Sequence, residues 1–373
     1  VLRRASEPDE PTFDFLKTAL AAARLCGVTR LADVTGLDRL GLPVWQAVRP
    51  AGWSLSVHQG KGAWPAQAKI GALCEAIEAH CAERVPGDGP VTTLASLPEG
   101  QRAAEISDYC RDRSRVPPLD ARVRWSEAAD LASGAACYLP HNLVSLDFRS
   151  ETTSLFERVS GGLGAGPDEE HALSTALLEL VERDAVGEWQ RQDAGARAVT
   201  ALKLGSVPFE WFREWRERLA CAGADLQVFE LKTAAAVPAF LCIVGGAGEF
   251  GKGYRRFEGH AAHGSAETAL FKALAEAIQS RLTFIAGVRD DFLPSAYRRQ
   301  EASRRPQDWP PDGALPWHER ETVARPVEHV VEQLARRGFR QVAVKRLGEG
   351  LEGVSVVRAF VPGLGSLTRT RRT

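Results

Sequence analysis

A seven-residue phrase recurs three times in this chain and constrains its fold more than any other feature. Residues 72–78 read Ala-Leu-Cys-Glu-Ala-Ile-Glu, residues 176–182 Ala-Leu-Leu-Glu-Leu-Val-Glu, and residues 273–279 Ala-Leu-Ala-Glu-Ala-Ile-Gln. All three fit A-L-x-E-x-[IV]-[EQ]. Each copy is made of strong helix formers. Each follows a glycine-bearing stretch, at 59–62, 161–166 and 259–264, which reads as a loop feeding a helix. The copies stand about 100 residues apart, beyond the roughly 20–50-residue period of a solenoid.

Within each copy the polar pair is spaced i, i+3, so Glu75/Glu78, Glu179/Glu182 and Glu276/Gln279 each share one helix face. The residues between them are apolar, which marks the face as partly buried. An unpaired buried carboxylate is costly, so each needs a partner. Basic residues are few around the first pair, and a cation from outside is the economical answer. Hard oxygen ligands drawn from several helices suit Mg²⁺, an ion usually held together with substrate phosphates. One E-x-x-E alone reads as a solvated helix face. Three in the same apolar frame favour a nucleoside triphosphate and metal held between helices. A di-iron bundle would want E-x-x-H on two helices, and no copy supplies it.

The remaining sequence narrows the class. The chain has 373 residues, long enough for two average domains or one large one, and 44% of them are hydrophobic, enough for a substantial core. Its 47 Lys and Arg against 48 Asp and Glu argue against a dedicated nucleic-acid binder. No apolar run is long enough to span a bilayer, and residues 1–9 lack the apolar core of a signal peptide. The seven cysteines include no C-x-x-C, so they read as scattered core residues in a reducing cytoplasm rather than as disulfides or a zinc site. A cytoplasmic protein is therefore expected.

Apolar periodicity predicts a helix over 12–26, with Phe13, Leu16, Leu20 and Ala23 on one stripe and Gly27 as its stop. A turn at 41–43 feeds a strand, and Ser54–Val57 reads as a short strand. A further helix is expected over 207–223, where Trp211 and Trp215 read as packing residues. Strands are expected over 226–231 and 238–244, a helix over 326–337, and strands over 341–347 and 354–361. Residues 291–326, rich in Pro and Arg, read as a long surface excursion. Helices and strands interleave, so the expected class is α/β or α+β. The letters G-x-G-x-x-G at 246–251 are followed by no helical pattern and read as a hairpin turn; no P-loop occurs.

At these residues the chain resembles the YcaO family. The matching stretches are Ser56–Gly62 running into Ala72–Glu78, Ser160–Gly166 running into Leu178–Asp184, and Ala273–Thr283 followed by Gly287-Val288-Arg289-Asp290-Asp291. Gly27–Asp38, Gly41–Val44 and Arg49-Pro50 match as well. The resemblance implies an ATP-binding α/β fold of its own, with three acidic helices converging on the nucleotide and Mg²⁺. It also implies a reaction in which ATP activates (O-phosphorylates) a peptide backbone amide so that a nucleophile replaces its oxygen. The Q-S-R-L-T and G-x-R-D-D stretches resemble the subgroup that works beside a TfuA-like partner and is associated with backbone thioamidation. The azoline-forming subgroup carries a P-x-P-x-P tail, which Thr368–Thr373 does not match. Two departures stand out: Gly161 occupies the position of the family's usual Asn, and Gly365 that of a usual Glu.

On this resemblance Glu75, Glu78, Glu182 and Glu276 are the expected metal ligands. Thr12, Ser160, Glu179, Glu182, Arg183, Arg281 and Gln279 are the expected nucleotide contacts, with Arg4 a weaker one and Lys61 near phosphate. The two arginines would meet phosphate oxygens bidentately. Taken alone, Thr12 reads as a helix N-cap, Ser160 as a turn residue and Lys61 as a solvated loop residue. His260 and His263 read as loop histidines, one of them able to serve the amide as acid or base. No catalytic residue is assigned. The expected organisation is an N-terminal helix and strand segment over 1–60, an ATP/Mg²⁺-binding core over 61–290, and a C-terminal extension over 291–373. The expected partners are a peptide or protein substrate and a TfuA-like protein, with a sulfur donor, in a homo-oligomer; nucleic acid and membrane are not expected. Azoline-forming cyclodehydration is the alternative chemistry, and a peptide-binding component without ATP turnover is the alternative class.

Overall fold

The computed structural model describes residues 9–97, 120–149, 158–247, 254–287 and 312–364, with residues 101, 118, 156 and 290. The chain opens with α1 (Glu10–Leu25), and Gly27 follows at a positive φ of 84°. Three strands, β1 (Arg30–Asp33), β2 (Val44–Val48) and β3 (Val57–Lys61), form an antiparallel sheet in that order, and α2 (Pro65–Glu83) follows directly. Next come β4 (Val91–Thr93), β5 (Arg122–Asp130), β6 (Ala136–Pro140), α3 (His141–Val144), β7 (Leu163–Gly166) and α4 (Glu169–Gln190). The chain continues through α5 (Ala194–Ala198), α6 (Glu210–Cys221), β8 (Ala224–Leu231), β9 (Ala239–Ala247), β10 (Tyr254–Ala262) and α7 (Ala266–Ala286). It ends with α8 (Pro326–Arg336), β11 (Ala343–Leu347) and β12 (Ser355–Phe360).

A second three-stranded sheet runs β10-β9-β8, and a six-stranded sheet runs β4-β5-β11-β12-β7 with β6 paired to β5. Every pairing between these strands is antiparallel, which puts the fold on the α+β side of the expectation. The two late strands lie inside the six-stranded sheet, between β5 and β7. The run Phe240–Val244 is apolar throughout because both faces of its sheet are covered. Leu241 and Ile243 pack toward α4 and α8, and Phe240, Cys242 and Val244 toward α6 and α7. Trp211 and Trp215 belong to this second core, as packing residues should.

Three elements differ from the sequence reading. The stretches taken as glycine loops are largely strands: 59–61 lies in β3, 163–166 is β7, and 259–262 closes β10. Their glycines answer a packing demand rather than a turn. A Cβ on Gly60 would stand 2.1 Å from the Ala68 carbonyl oxygen, one on Gly164 2.2 Å from that of Ala172, and one on Gly259 2.1 Å from the Ala277 nitrogen. Each helix thus lies backbone to backbone on the strand that precedes it, through alanines of its own. The expected strand at 54–57 begins only at Val57, because Trp53 and Ser54 are drawn off into a turn by Glu83. Phe13, placed on the buried stripe of α1, is 45% exposed; Ala19, Ala22 and Ala23 form the buried face. Residues 291–311 of the expected excursion, and the 248–251 part of the hairpin turn, lie outside the described residues.

The three strand–helix units close into a ring. Each helix packs on its own strand and also on the strand of another unit: α2 on β3 and β7, α4 on β7 and β10, α7 on β10 and β3. A buried clasp braces this ring from α2. Arg49 donates to both Glu83 oxygens (2.7 and 2.6 Å), and Glu83 also accepts from the Ser54 backbone and hydroxyl (2.8 and 2.7 Å). Burial alone would raise the Glu83 carboxyl, but the hydrogen bonds from Arg49 and Ser54 overcome it and hold the group at about 2.

Two outcomes follow from this packing. Gly259→Ala should lower stability by about 1–3 kcal/mol or more, the range for overpacking. Gly205→Ala, where a Cβ meets nothing within 4 Å, should be neutral; paired thermal melts check both. Glu83→Gln should cost about 3–5 kcal/mol near neutral pH by leaving Arg49 buried and uncompensated. A depressed carboxyl stabilises above its unfolded value and ceases to as pH falls through its folded value. The gap between wild-type and variant melting curves should therefore be full above pH 4.5 and close as pH falls toward about 2.

Candidate functional site

The acids of the repeated helices meet at the centre of the ring. In each unit the first acid ties its helix to backbone on the preceding strand or just before it. Glu75 Oε2 accepts from the Gln59 nitrogen (2.6 Å), Glu179 Oε2 from the Gly162 nitrogen (3.0 Å), and Glu276 from the backbone of His260. The second layer of contacts joins one unit to the next. Lys61 on β3 reaches Glu276 on α7 (2.9 Å), and His260 Nδ1 on β10 reaches Glu182 on α4 (2.5 Å). The backbone of Ala165 on β7 hydrogen-bonds Glu78 on α2. The same three junctions that pack the ring therefore each carry one polar link.

The electrostatics record how close the carboxylates are. Glu78 is pushed well above the usual carboxylate range by burial and then by Glu179 and Glu75. Glu182 is raised by burial, with Glu276 and Glu179 adding and His260 opposing. Burial would lower the His260 imidazole, but the hydrogen bond it donates to Glu182 and the charges of Glu276 and Glu182 lift it to about 9, so it is cationic at neutral pH. Burial would raise Glu276, but Lys61 and His260 bring it below its ordinary value. Arg183 donates to Glu179 through Nε (2.8 Å) and Nη2 (2.7 Å). Five carboxylates thus face three paired cations, and Glu78 has no cation of its own among the described residues.

This donor set fits Mg²⁺. It consists of hard oxygens carrying excess negative charge that a divalent cation would relieve. Among the described residues no three acid, histidine or cysteine side chains are gathered as ligands for one ion. Mg²⁺ keeps several waters and takes one or two carboxylates plus substrate phosphates rather than an all-protein cage.

The expected site residues fall into two groups. Glu75, Glu78, Glu179, Glu182, Arg183 and Glu276 are brought together, and Gln279 lies one turn beyond Glu276 on α7. Ser160 is exposed and adjoins Gly161-Gly162, whose backbone holds Glu179. Thr12 and Arg281 have partners away from the acids. Thr12 bonds Asp9, and Asp9 rather than Thr12 is the N-cap of α1. Arg281 pairs with the buried Asp38 (2.8 Å). Arg4 lies outside the described residues. A Cβ on Gly161 would rest 3.4 Å from Arg183 Cδ, an ordinary contact, so the position has room for a side chain beside the guanidinium.

Sequence reasoning undervalued Lys61 and His260 because it put both on loops. Strand alternation carries the missing signal: Gln59 and Lys61 share a face, and that face meets α7, where Gln59 bonds Thr283 and Lys61 bonds Glu276. Lys272, one turn before Glu276, adds a further cation near Lys61, Glu182 and Glu276. His263 stays a structural histidine, accepting from the Ser265 nitrogen (3.0 Å). Among the described residues five cysteines are buried and Cys221 is exposed. No described helix is long and apolar enough to cross a membrane.

Known proteins resemble this chain in sequence and in fold. The family model described as YcaO cyclodehydratase, ATP- and Mg²⁺-binding, matches residues 59–365. The chain is 33% identical over 352 residues to an uncharacterised protein in the tfuA 3′ region of Rhizobium leguminosarum bv. trifolii, covering 91% of this chain and 84% of that protein. It superposes with a TM-score of 0.71 on YcaO from Methanopyrus kandleri bound with AMPPCP and Mg²⁺, at 23% identity, covering 94% of this chain and 90% of that one. A heterocyclase in complex with substrate and cofactor gives a TM-score of 0.73 at 21% identity; the match covers 94% of this chain and 52% of the heterocyclase, about half its length. The two structures establish the shared fold, and the family model and the rhizobial relative establish descent: the chain belongs to the YcaO family of ATP- and Mg²⁺-binding, peptide-modifying enzymes.

Proposed function

We propose that this protein uses ATP and Mg²⁺ to activate a backbone amide of a peptide or protein by O-phosphorylation, and that it does so to install sulfur, giving a thioamide. The observation that carries the activation is the convergence of Glu75, Glu78, Glu179, Glu182 and Glu276 from three helices, with Arg183, Lys61 and His260 beside them. Acids of this number repel a triphosphate unless metal stands between. Glu75, Glu78, Glu182 and Glu276 would between them hold Mg²⁺, one or two carboxylates to an ion; Glu179 would keep Arg183 aimed at phosphate, with Ser160 and Gln279 flanking it. Thr12 and Arg281 remain outer candidates, each reaching the nucleotide only by leaving its present partner. Bound there, ATP supplies the phosphoryl group that turns the amide oxygen into a leaving group. The chain's part is to neutralise phosphate charge and to keep water from the activated amide.

The sulfur chemistry is supported by the relative in the tfuA 3′ region, and it calls for a TfuA-like partner and a sulfur donor. Cyclodehydration to an azoline is the second reading, favoured by the description of the family model and by the heterocyclase fold.

Three measurements test this reading. Calorimetry should find ATP binding strongly with Mg²⁺ and weakly with chelator; equal affinity would end the metal-clamp account. Glu78→Gln should cut turnover about a hundredfold or more while leaving the metal-free melting temperature unchanged or raised, because it relieves repulsion from Glu179 and Glu75 and its amide oxygen can still accept from Ala165. A large loss of metal-free stability would make Glu78 a structural residue instead. Intact-mass analysis of a peptide incubated with protein, ATP, sulfide and a TfuA-like partner should find a gain of about 16 mass units for oxygen-to-sulfur exchange. A loss of about 18 without partner or sulfide would identify cyclodehydration.

A further inference from the structure

A concave space lies outside the acid ring. It encloses about 780 Å³, within the range of roughly 300–1,000 Å³ typical of ligand clefts. It is bounded by the later turns of α4, the end of β8, residues 199–200 and the turn after α8. Asp184 and Glu188 enter it from α4. At about 100° per residue these positions are turned some 200–240° from Glu182, so the cavity opens on the side of α4 opposite the acids, about 10 Å away across the helix.

The cavity has a fixed apolar wall and a charge imbalance. The apolar groups that line it in the open are Val199, Leu315 and Phe339, over a floor in which Trp189 is 6% exposed, its Nε1 donating to Thr200 Oγ1 (3.0 Å) and its ring covered by Phe229 and Arg197. The acids that line it already have partners. Glu230 is held by Arg320 (2.6 Å), Glu188 pairs with Arg191, and Asp184 is engaged as well. Lys232 and Arg337 are exposed and make no side-chain hydrogen bond or ion pair among the described residues. What this cavity offers a ligand is therefore an apolar wall beneath two uncompensated cations.

We propose that this cavity anchors an acidic segment of the peptide substrate, with one large apolar side chain against Val199 and Phe339 and carboxylates on Lys232 and Arg337. The inference rests on the peptide-modifying reading above and adds the substrate's recognition chemistry. A backbone amide looks alike at every residue, so an enzyme that acts on it must read its substrate away from the reacting bond. An anchor on the far side of α4 serves that need for a peptide long enough to pass round the helix, so that the segment read is well removed in sequence from the reacting amide. A ligand confined to the cavity would have no route to the acids, which favours a chain over a small molecule.

Calorimetry with the full chain tests this, using as probes a synthetic peptide of alternating Asp and Glu around one Phe and its Asn/Gln counterpart. The acidic peptide should bind about tenfold or more tightly than its neutral counterpart, and Lys232→Glu combined with Arg337→Glu should remove that advantage. Mg²⁺-ATP affinity, measured on the same sample, should not change. Lys203→Glu with Arg30→Glu, two exposed cations outside the cavity, should leave peptide affinity as it was. Equal affinity for the two peptides, an unaffected cavity variant, or an equal loss in the control variant would each overturn the anchor. The two readings also fail separately. Acidic-peptide binding that depends on Lys232 and Arg337 without ATP-dependent modification of any peptide keeps the anchor and ends the enzymatic reading. Modification that ignores these residues ends the anchor and keeps the enzyme.

Discussion

Mutual repulsion among five carboxylates is the constraint around which this molecule is built. Left to themselves Glu75, Glu78, Glu179, Glu182 and Glu276 would drive three helices apart. They are held because backbone amides grip the first acid of each pair, because Arg183 answers Glu179 from the same helix, and because the other compensating groups come from other units: Lys61 for Glu276, His260 for Glu182, the Ala165 backbone for Glu78. Charge compensation and ring closure are thus one set of contacts. A protein that met each acid with a lysine on its own helix would have gained stability and lost the negative field that suits a divalent cation.

The late strands complete the site from a distance in sequence. Arg358 on β12 is fully buried, and its guanidinium donates to the carbonyls of Val144 and Val159. Burial lowers it to about 9, with Glu179 opposing. Next to it the Ala359 nitrogen donates to the Gly162 carbonyl (2.7 Å), while the Gly162 nitrogen holds Glu179. Gly162 has φ of 80°, and a Cβ there would stand 2.2 Å from the Ala359 oxygen. The segment Ser160–Gly162 is therefore pinned on both sides by β12, which explains why a chain whose acids lie between 75 and 276 needs residues beyond 350.

Much of this was legible in the sequence. The helices of the repeat, α6 and α8 lie close to where periodicity put them, and the five acids converge as their common frame implied. The errors share a cause. Gly60, Gly164 and Gly259 carry the composition of loops, yet each is a strand residue whose missing side chain lets a helix backbone approach. Propensity records what a residue permits, not what a neighbour two layers away requires. Lys61 and His260 were undervalued for the same reason, since a residue assigned to a loop has no face. Arg281 illustrates the opposite limit: its partner Asp38 lies 243 residues away in sequence, and no local pattern announces the pair.

The seam of glycine and alanine between each helix and its strand has a further consequence. A contact too close for one methyl group leaves no second register into which a helix could slip. The carboxylates therefore cannot spread when the site is empty and draw together when it fills. Their spacing is settled during folding, and what is left free to adjust is the rotation of side chains such as Lys61 and Arg183. Motion that admits a peptide has to come from the segments around the ring, while the ring itself behaves as a rigid socket.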